Sequence, residues 1–263
     1  MQTHHSELEG MEIGGGRVRI MADNSIHLTV PSTQSGYANA QVDDYRELHR
    51  RQFPWRPPIL LSLRARTSHS HPIGTLGFGF WNDPFTLRIG QGGAARRLPT
   101  APQAVWFFYG SPPNDLALVP GISGHGWKAS CLKSPAIPPL LLAPLSVGAI
   151  TMAQIPWLRR PVMRGAQRVI TAAERVLNVR MDEWHHYTLN WKADSVIFEV
   201  DGEPILTALD PPTKPLGFVA WIDNQYVVAS PEGGFRFGVV PLGEEQWLEI
   251  SDLSLEKYTN VIE

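Results

Sequence analysis

The segment Glu183–Gly202, EWHHYTLNWKADSVIFEVDG, constrains the fold of this chain more than any other. Its first half alternates at period two, and the residues on one face are His185, Tyr187, Leu189 and Trp191. After a short turn at 192–194, a second alternating strand ends at Asp201-Gly202, a dipeptide suited to a two-residue hairpin turn. The pattern predicts two half-buried antiparallel strands, with His185 as a hydrogen-bonded histidine on the core side.

The same alternation recurs along the chain and predicts a mostly antiparallel β protein. The further strand segments are Arg17–Met21, Ser25–Val30, Tyr37–Val42, Ile59–Arg66, Ile73–Trp81, Ala104–Tyr109, Trp127–Leu132, Leu216–Gln225, Phe235–Val240 and Gln246–Lys257. In the last strand the apolar phase shifts, which predicts a bulge near Ser251-Asp252. Gly77 and Gly79 share one strand face and leave room for a ligand or for a neighbouring aromatic ring.

Two regions depart from the strand rhythm. Residues 1–15 are polar and glycine-rich, and they predict a flexible arm. Residues 133–179 predict a helical insertion, because apolar positions recur at helical spacing from Val162 to Leu177. The stretch Ile137–Leu158 is uncharged, but four prolines interrupt it, so a membrane span is disfavoured and a lid over the sandwich is preferred. We expect one domain over residues 1–263.

Charge and cysteine content exclude some function classes. The net charge is −2 and the pI is about 6.5, which argues against a nucleic-acid binder. The single cysteine, Cys131, rules out an intramolecular disulfide framework and is expected to be a small buried residue. No apolar signal segment is visible at the N-terminus, so a cytoplasmic location is expected.

The order W-H-x-Y-x-x-x-W…V-x-F-x-V-D-G between Trp184 and Gly202 resembles the late hairpin of concanavalin A-like sandwiches, above all that of family 16 glycoside hydrolases. The strand 246–257 is similar to the last strand of that group. The resemblance covers 183–257 and 59–132. It implies a concanavalin A-like jelly roll of two antiparallel sheets, here with a helical insertion, and a sugar groove on the concave sheet.

The resemblance does not extend to the catalytic motif of family 16. In that family two glutamates of an E-x-D-x-x-E strand act as nucleophile and acid/base. The matching strand here is Ala104–Gly110, AVWFFYG, which has no carboxylate, and the motif occurs nowhere in the chain. We therefore expect no retaining hydrolysis of the family 16 type.

Candidate ligand-binding residues come from alternation and residue type. Because Phe218, Ala220 and Ile222 predict the core face of their strand, Trp221, Asp223 and Gln225 are expected opposite, as a stacking ring with two hydrogen-bonding partners. The other candidates are Trp81, Asp83, Trp106 and His186. Ordinary turn chemistry is an alternative for Asp83, and packing under a loop is an alternative for the Trp221 group.

The H-x-H pair His69 and His71 lacks an accompanying cysteine or carboxylate cluster, so neither a metal nor a cofactor is expected. The first hypothesis is a protein that binds, or processes, a carbohydrate or glycoside on the concave face. A second is a binding protein for an apolar or amphipathic small molecule enclosed by the insertion. A third is an interaction protein without a small ligand.

Overall fold

The computed structural model describes residues 2–3, 8–84, 97–98, 100–116, 118–135, 137 and 156–258. Strands, numbered in chain order, form two large antiparallel sheets and a small third one. Sheet A contains β1 (Gln2–Thr3), β3 (Arg17–Ile20), β4 (Ile26–Val30), β6 (Ile59–Thr67), β12 (His185–Trp191), β13 (Ser195–Val200), β14 (Glu203–Leu209) and β18 (Gln246–Lys257). Sheet B contains β2 (Glu9–Ile13), β5 (Asn39–Asp43), β7 (Thr75–Trp81), β8 (Gln103–Gly110), β10 (Gly126–Lys133), β11 (Thr171–Val176) and β15 (Gly217–Asp223).

The order of sheet A is β14-β13-β12-β6-β18-β4-β3, with β1 paired to β18, and the order of sheet B is β11-β10-β8-β7-β15-β5-β2. The third sheet joins β9 (Asp115–Leu116), β16 (Gln225–Ser230) and β17 (Gly234–Val239). In the described residues, helix is limited to α1 (Pro156–Val169) and a 3-10 turn at Arg50–Gln52. The predicted all-β sandwich of two antiparallel sheets is confirmed.

The core between sheets A and B is rich in aromatic rings. Phe107 of β8 contacts Tyr187 and Phe198 of sheet A, with ring centroids 5.0 and 5.4 Å apart. Phe78 of β7 likewise meets Tyr187 at 5.1 Å in an edge-on arrangement. These contacts between facing sheets bury the apolar half of each alternating strand, which is the main stabilisation of a sandwich.

The predicted hairpin is confirmed as β12 and β13, which pair antiparallel. The next turn, at Asp201-Gly202, joins β13 to β14. Both of its residues have positive φ, 53° and 82°, as a two-residue turn of the expected type requires. The bulge in β18 is also confirmed, because its register against β6 shifts between Ser251 and Ser254. Cys131 is buried, and burial raises the pKa of its thiol to about 12.

Two predictions about irregular regions need correction. The helical interpretation holds for α1 but is wrong at Thr171–Val176, which forms the edge strand β11 on β10. The flexible arm is wrong at Glu9–Ile13, which is edge strand β2 on β5. An edge strand gains its backbone hydrogen bonds from one neighbour, so a weakly apolar sequence can join a sheet where local propensity predicts helix or loop.

Part of the insertion, residues 138–155, lies outside the described residues, and so does most of the uncharged stretch from Ile137 to Leu158. None of the helices in the described part of the chain is long and apolar enough to cross a membrane.

Candidate functional site

The outer side of sheet B carries a cluster of aromatic rings, which we call the aromatic face: Trp81 of β7, Trp106 and Phe108 of β8, and Trp221 of β15. These side chains alternate with core residues on the same strands, such as Phe80, Phe107 and Ile222. The alternation predicted for β15 is therefore confirmed at Trp221. Ring centroids in the cluster lie 5.3 to 6.0 Å apart.

The glycines of β7 make this cluster possible. Gly77 pairs with Phe108 on one side and Trp221 on the other, and Gly79 pairs with Trp106. A Cβ at Gly77 would approach the Trp221 ring to 2.9 Å, and one at Gly79 would approach the Trp106 backbone to 2.6 Å. Of the two expectations for these glycines, the structure favours the neighbouring aromatic ring. The aromatic side chains of β8 and β15 pack against β7 at its glycines.

Trp221 is more buried than a groove tryptophan was expected to be. Only 8% of its surface is exposed, and its indole N–H donates to Thr75 Oγ1 at 3.1 Å. It packs in the same cluster as Phe108 and Val219. The geometry therefore supports the packing alternative for this ring, which forms the floor of the aromatic face.

Asp223 is also engaged within the protein. Its Oδ1 accepts hydrogen bonds from Thr75 Oγ1 at 2.7 Å and from the Gln225 N–H at 3.0 Å, and its Oδ2 lies 3.4 Å from the Tyr37 hydroxyl. Burial raises the pKa of Asp223 to about 6, although these hydrogen bonds act in the opposite direction. With 4% of the residue exposed, Asp223 ties the end of β15 to its neighbours.

Of the remaining candidates, Gln225 and His186 lie apart from the aromatic face, and Asp83 is engaged within the protein. Gln225 begins β16 of the third sheet with its side chain exposed, because β15 ends at Asp223. Asp83 forms a buried ion pair with Arg97 at 2.7 Å, next to the turn predicted for it. His186 lies on the outer side of sheet A, 2.8 Å from Ser62 Oγ, so both sheets separate it from the tryptophans of the aromatic face. His185 has the expected place near the core, bonded to Asp201 at 2.6 Å.

Two predicted residues, Trp81 and Trp106, keep part of their surface exposed. Their ring centroids lie 5.7 Å apart with an interplanar angle of 30°. Trp106 also stacks on Phe108 at 5.5 Å, and the Trp81 indole N–H donates to the Tyr45 hydroxyl. Both rings are thus held by packing and remain partly open, which suits them to contact a ligand.

A cross-strand row places polar groups beside Trp106. Trp106 pairs with Ser130 of β10, and Ser130 pairs with Glu174 of β11. Glu174 Oε1 accepts hydrogen bonds from Lys128 Nζ at 3.0 Å and from Ser130 Oγ at 3.3 Å. Among the residues that the structure describes, Glu174 Oε2 is buried and has no hydrogen-bond partner.

The Lys128–Glu174 pair was missed by the sequence analysis. Their side chains are 1% and 2% exposed, and Lys128 Nζ also donates to the backbone oxygens of Leu116 and Ser123. A buried ion pair is costly unless every polar atom is satisfied, so an orphaned carboxylate oxygen is a feature that needs an explanation. No local signal in the sequence marks the pair, because Glu174 lies within an apparent helical pattern.

No group of three or more His, Cys, Asp or Glu side chains comes together as a metal site within the described ranges. The carboxylates of the aromatic face are likewise dispersed, with Glu174 on one edge strand and Asp223 four strands away. The face therefore offers rings and isolated polar groups, which are the components of a binding surface.

No family model and no curated protein matches this chain. Solved structures similar to it include a glycoside hydrolase family protein from Mycobacterium thermorestibile, at 13% identity and a TM-score of 0.48 over 91% of this chain and 79% of that one. The exoplasmic/lumenal domain of VIP36 in a Ca2+/Man3GlcNAc-bound form matches at 9% identity and 0.48, covering 96% and 84%. An endo-β-1,4-glucuronan lyase from the fungus Trichoderma reesei matches at 10% and 0.44, covering 97% and 89%. The two antiparallel sheets of this chain form a β-sandwich.

Proposed function

We propose that this protein binds a carbohydrate on the aromatic face of sheet B. The observation that carries the proposal is the row Trp106–Ser130–Glu174. In it a partly exposed ring lies two strands from a buried carboxylate oxygen that has no partner among the described residues. The apolar face of a pyranose ring stacks on an indole, while its hydroxyls donate to carboxylate oxygens. Both requirements of a sugar site are thus present in one row.

The spacing of the row suits a ligand of this size. Neighbouring strands lie about 4.8 Å apart, so the backbones of Trp106 and Glu174 are separated by about 10 Å. A sugar stacked on Trp106 would extend towards Ser130 and Glu174. Both of these residues are buried, so a hydroxyl reaches Glu174 Oε2 only if the groups that cover this row move. A second ring on Trp81, next to Trp106, would extend the site along the other direction.

The proposal is one of binding without family 16 hydrolysis. The strand that the resemblance matches to the catalytic strand is β8, whose outward positions include Trp106 and Phe108 and no carboxylate. The next carboxylate in the cross-strand row of Glu174 is that of Asp43 on β5, five strands from β11, whereas retaining or inverting hydrolysis needs two carboxyl groups within about 10 Å of each other.

The test begins with a glycan array and then measures Kd by titration calorimetry for the best ligand. Trp106→Ala and Glu174→Gln should each weaken binding by about 10-fold or more. Trp247→Ala is the matched control, because this partly buried tryptophan lies on the outer side of sheet A, against His27. It should leave Kd unchanged.

A parallel thermal-shift screen with fatty acids and detergents tests the amphipathic-ligand hypothesis. Stabilisation by an amphiphile but by no glycan would contradict the proposal. Glycan binding that survives Trp106→Ala and Glu174→Gln would also place the ligand elsewhere.

A further inference from the structure

A cavity of about 590 Å³ opens at one end of the sandwich, next to the aromatic face. We call it the cationic cavity, since its lining includes Arg50, Arg51, Arg56 and Lys214, together with Asn82 and Gln103. None of the described residues that line it is acidic. Four positive side chains around one cavity repel one another, so this arrangement needs an explanation.

Three loops bring these side chains together because of the strand order. Trp81 at the end of β7 pairs with Ala104 near the start of β8 and with Gly217 at the start of β15. The residues just outside those ends are therefore neighbours. Trp55 bridges to Leu216, which places Arg56 beside the Lys214 loop. Asn82 follows Trp81 directly, so the cavity wall continues the strand that carries this ring.

The cations of the cavity differ in how they are used. Arg50 donates to the backbone oxygens of Asn82, Asp83 and Leu98, and burial is the main reason that its pKa is lowered. Arg50 is thus a fixed part of the wall. The other three cations are exposed: Arg51, Arg56 and Lys214. None of them forms an ion pair within the described part of the chain.

The acid next to the cavity in the chain, Asp83, is paired with Arg97 at 2.7 Å, and its charge also acts on Arg50. The two internal segments 85–96 and 138–155 contain no aspartate or glutamate. Over residues 84–173 the chain has nine arginines and lysines against one acid, Asp115.

We infer that the cationic cavity binds an anionic group of the ligand, so that the carbohydrate is an acidic one, carrying carboxylate or sulfate groups. The inference rests on the proposed function, because it extends the sugar site from Trp81 into the cavity. Guanidinium groups bind carboxylate and sulfate oxygens through two parallel N–H donors, and Lys214 adds a mobile charge. A sugar stacked on the aromatic face thus directs its charged substituent towards Arg56 and Lys214.

The test compares oligomers that differ only in charge: a neutral glucan oligomer, the same oligomer oxidised at C6 to the uronic acid, and the same oligomer sulfated at C6. Kd is measured at low and at physiological salt, since a charge contact weakens as salt rises. Inorganic sulfate and phosphate are titrated separately, to distinguish a free anion from a glycan substituent.

We expect the protein to bind at least one charged oligomer about 10-fold or more tightly than the neutral one. Arg56→Gln/Lys214→Gln should remove this preference while the neutral oligomer binds as before. Arg19→Gln/Arg236→Gln, which changes two exposed arginines on other strands, makes the same change in net charge and should keep the preference. Trp106→Ala should weaken all oligomers.

The outcomes separate the two proposals. Equal binding of neutral and charged oligomers overturns the acidic-ligand inference and leaves the carbohydrate site intact. If inorganic anions bind and none of the oligomers does, both proposals are overturned, because the cavity is then a site for a free anion. A preference that survives Arg56→Gln/Lys214→Gln, in a variant with unchanged thermal unfolding, overturns the placement in this cavity.

Discussion

Replacing Asp223 by asparagine should change how the stability of this protein depends on pH. Asp223 is buried on β15, and its pKa is raised by burial from an ordinary value of 3.8 to about 6. Between these two pH values the folded chain holds a proton that the unfolded chain has released. The free energy of unfolding contributed by Asp223 therefore falls as pH rises from about 4 to about 6.

The magnitude follows from the pKa difference. One pKa unit corresponds to about 1.4 kcal/mol, so ionising Asp223 in the folded protein costs about 3 kcal/mol by neutral pH. Asparagine stays neutral and has the same shape. Its oxygen accepts from Thr75 Oγ1 and the Gln225 N–H as Asp223 Oδ1 does, and its amide group faces the Tyr37 hydroxyl. The Asp223→Asn variant should therefore avoid the loss of stability that ionisation of Asp223 causes.

Urea denaturation of both proteins at each half unit from pH 4 to pH 8 measures the effect. The variant should gain about 3 kcal/mol relative to the wild type over this range, with most of the gain complete by about pH 7. Comparison of the two proteins at each pH cancels the other titrating groups.

Asp182→Asn is the control with the opposite sign. A hydrogen bond from Arg180 lowers the pKa of this partly exposed carboxyl, so Asp182 contributes stability at neutral pH that is lost on acidification. A difference between the wild type and Asp223→Asn that stays constant from pH 4 to pH 8 would refute the burial argument for Asp223.

Other predictions test the packing of the face and the absence of hydrolysis. Trp221→Ala should cost about 3–5 kcal/mol in urea unfolding, because the ring is buried, whereas Trp106→Ala should cost clearly less; equal losses would contradict the distinction between floor and ligand-facing ring. Lys128→Met should cost about 3–5 kcal/mol by leaving Glu174 buried without its partner, and Lys128→Met/Glu174→Leu should recover most of that loss. Assays of β-1,3/1,4-glucan with pure protein should release no reducing sugar; release abolished by one carboxylate substitution would reveal a catalytic pair that we do not see.

Alternation along the chain was sufficient to predict the class of fold and several details. The core side of β15, at Phe218 and Ile222, could be predicted because a strand has only two faces and apolar residues occupy one. The turn at Asp201-Gly202 and the bulge in β18 could be predicted because both depend on residues close in sequence. Trp81 and Trp106 were selected by residue type, and both prove to be partly exposed on one face.

Tertiary structure alone decided which side chains meet. The row Trp106–Ser130–Glu174 depends on the lateral order β8-β10-β11, and Glu174 joins it through an edge strand whose sequence predicts helix. The burial of Trp221 depends on the glycines of β7 next to it, and the cationic cavity on three strand ends that are distant in sequence. Alternation fixes the face of a residue within its own strand, whereas strand neighbours are set by non-local packing, which no local pattern encodes.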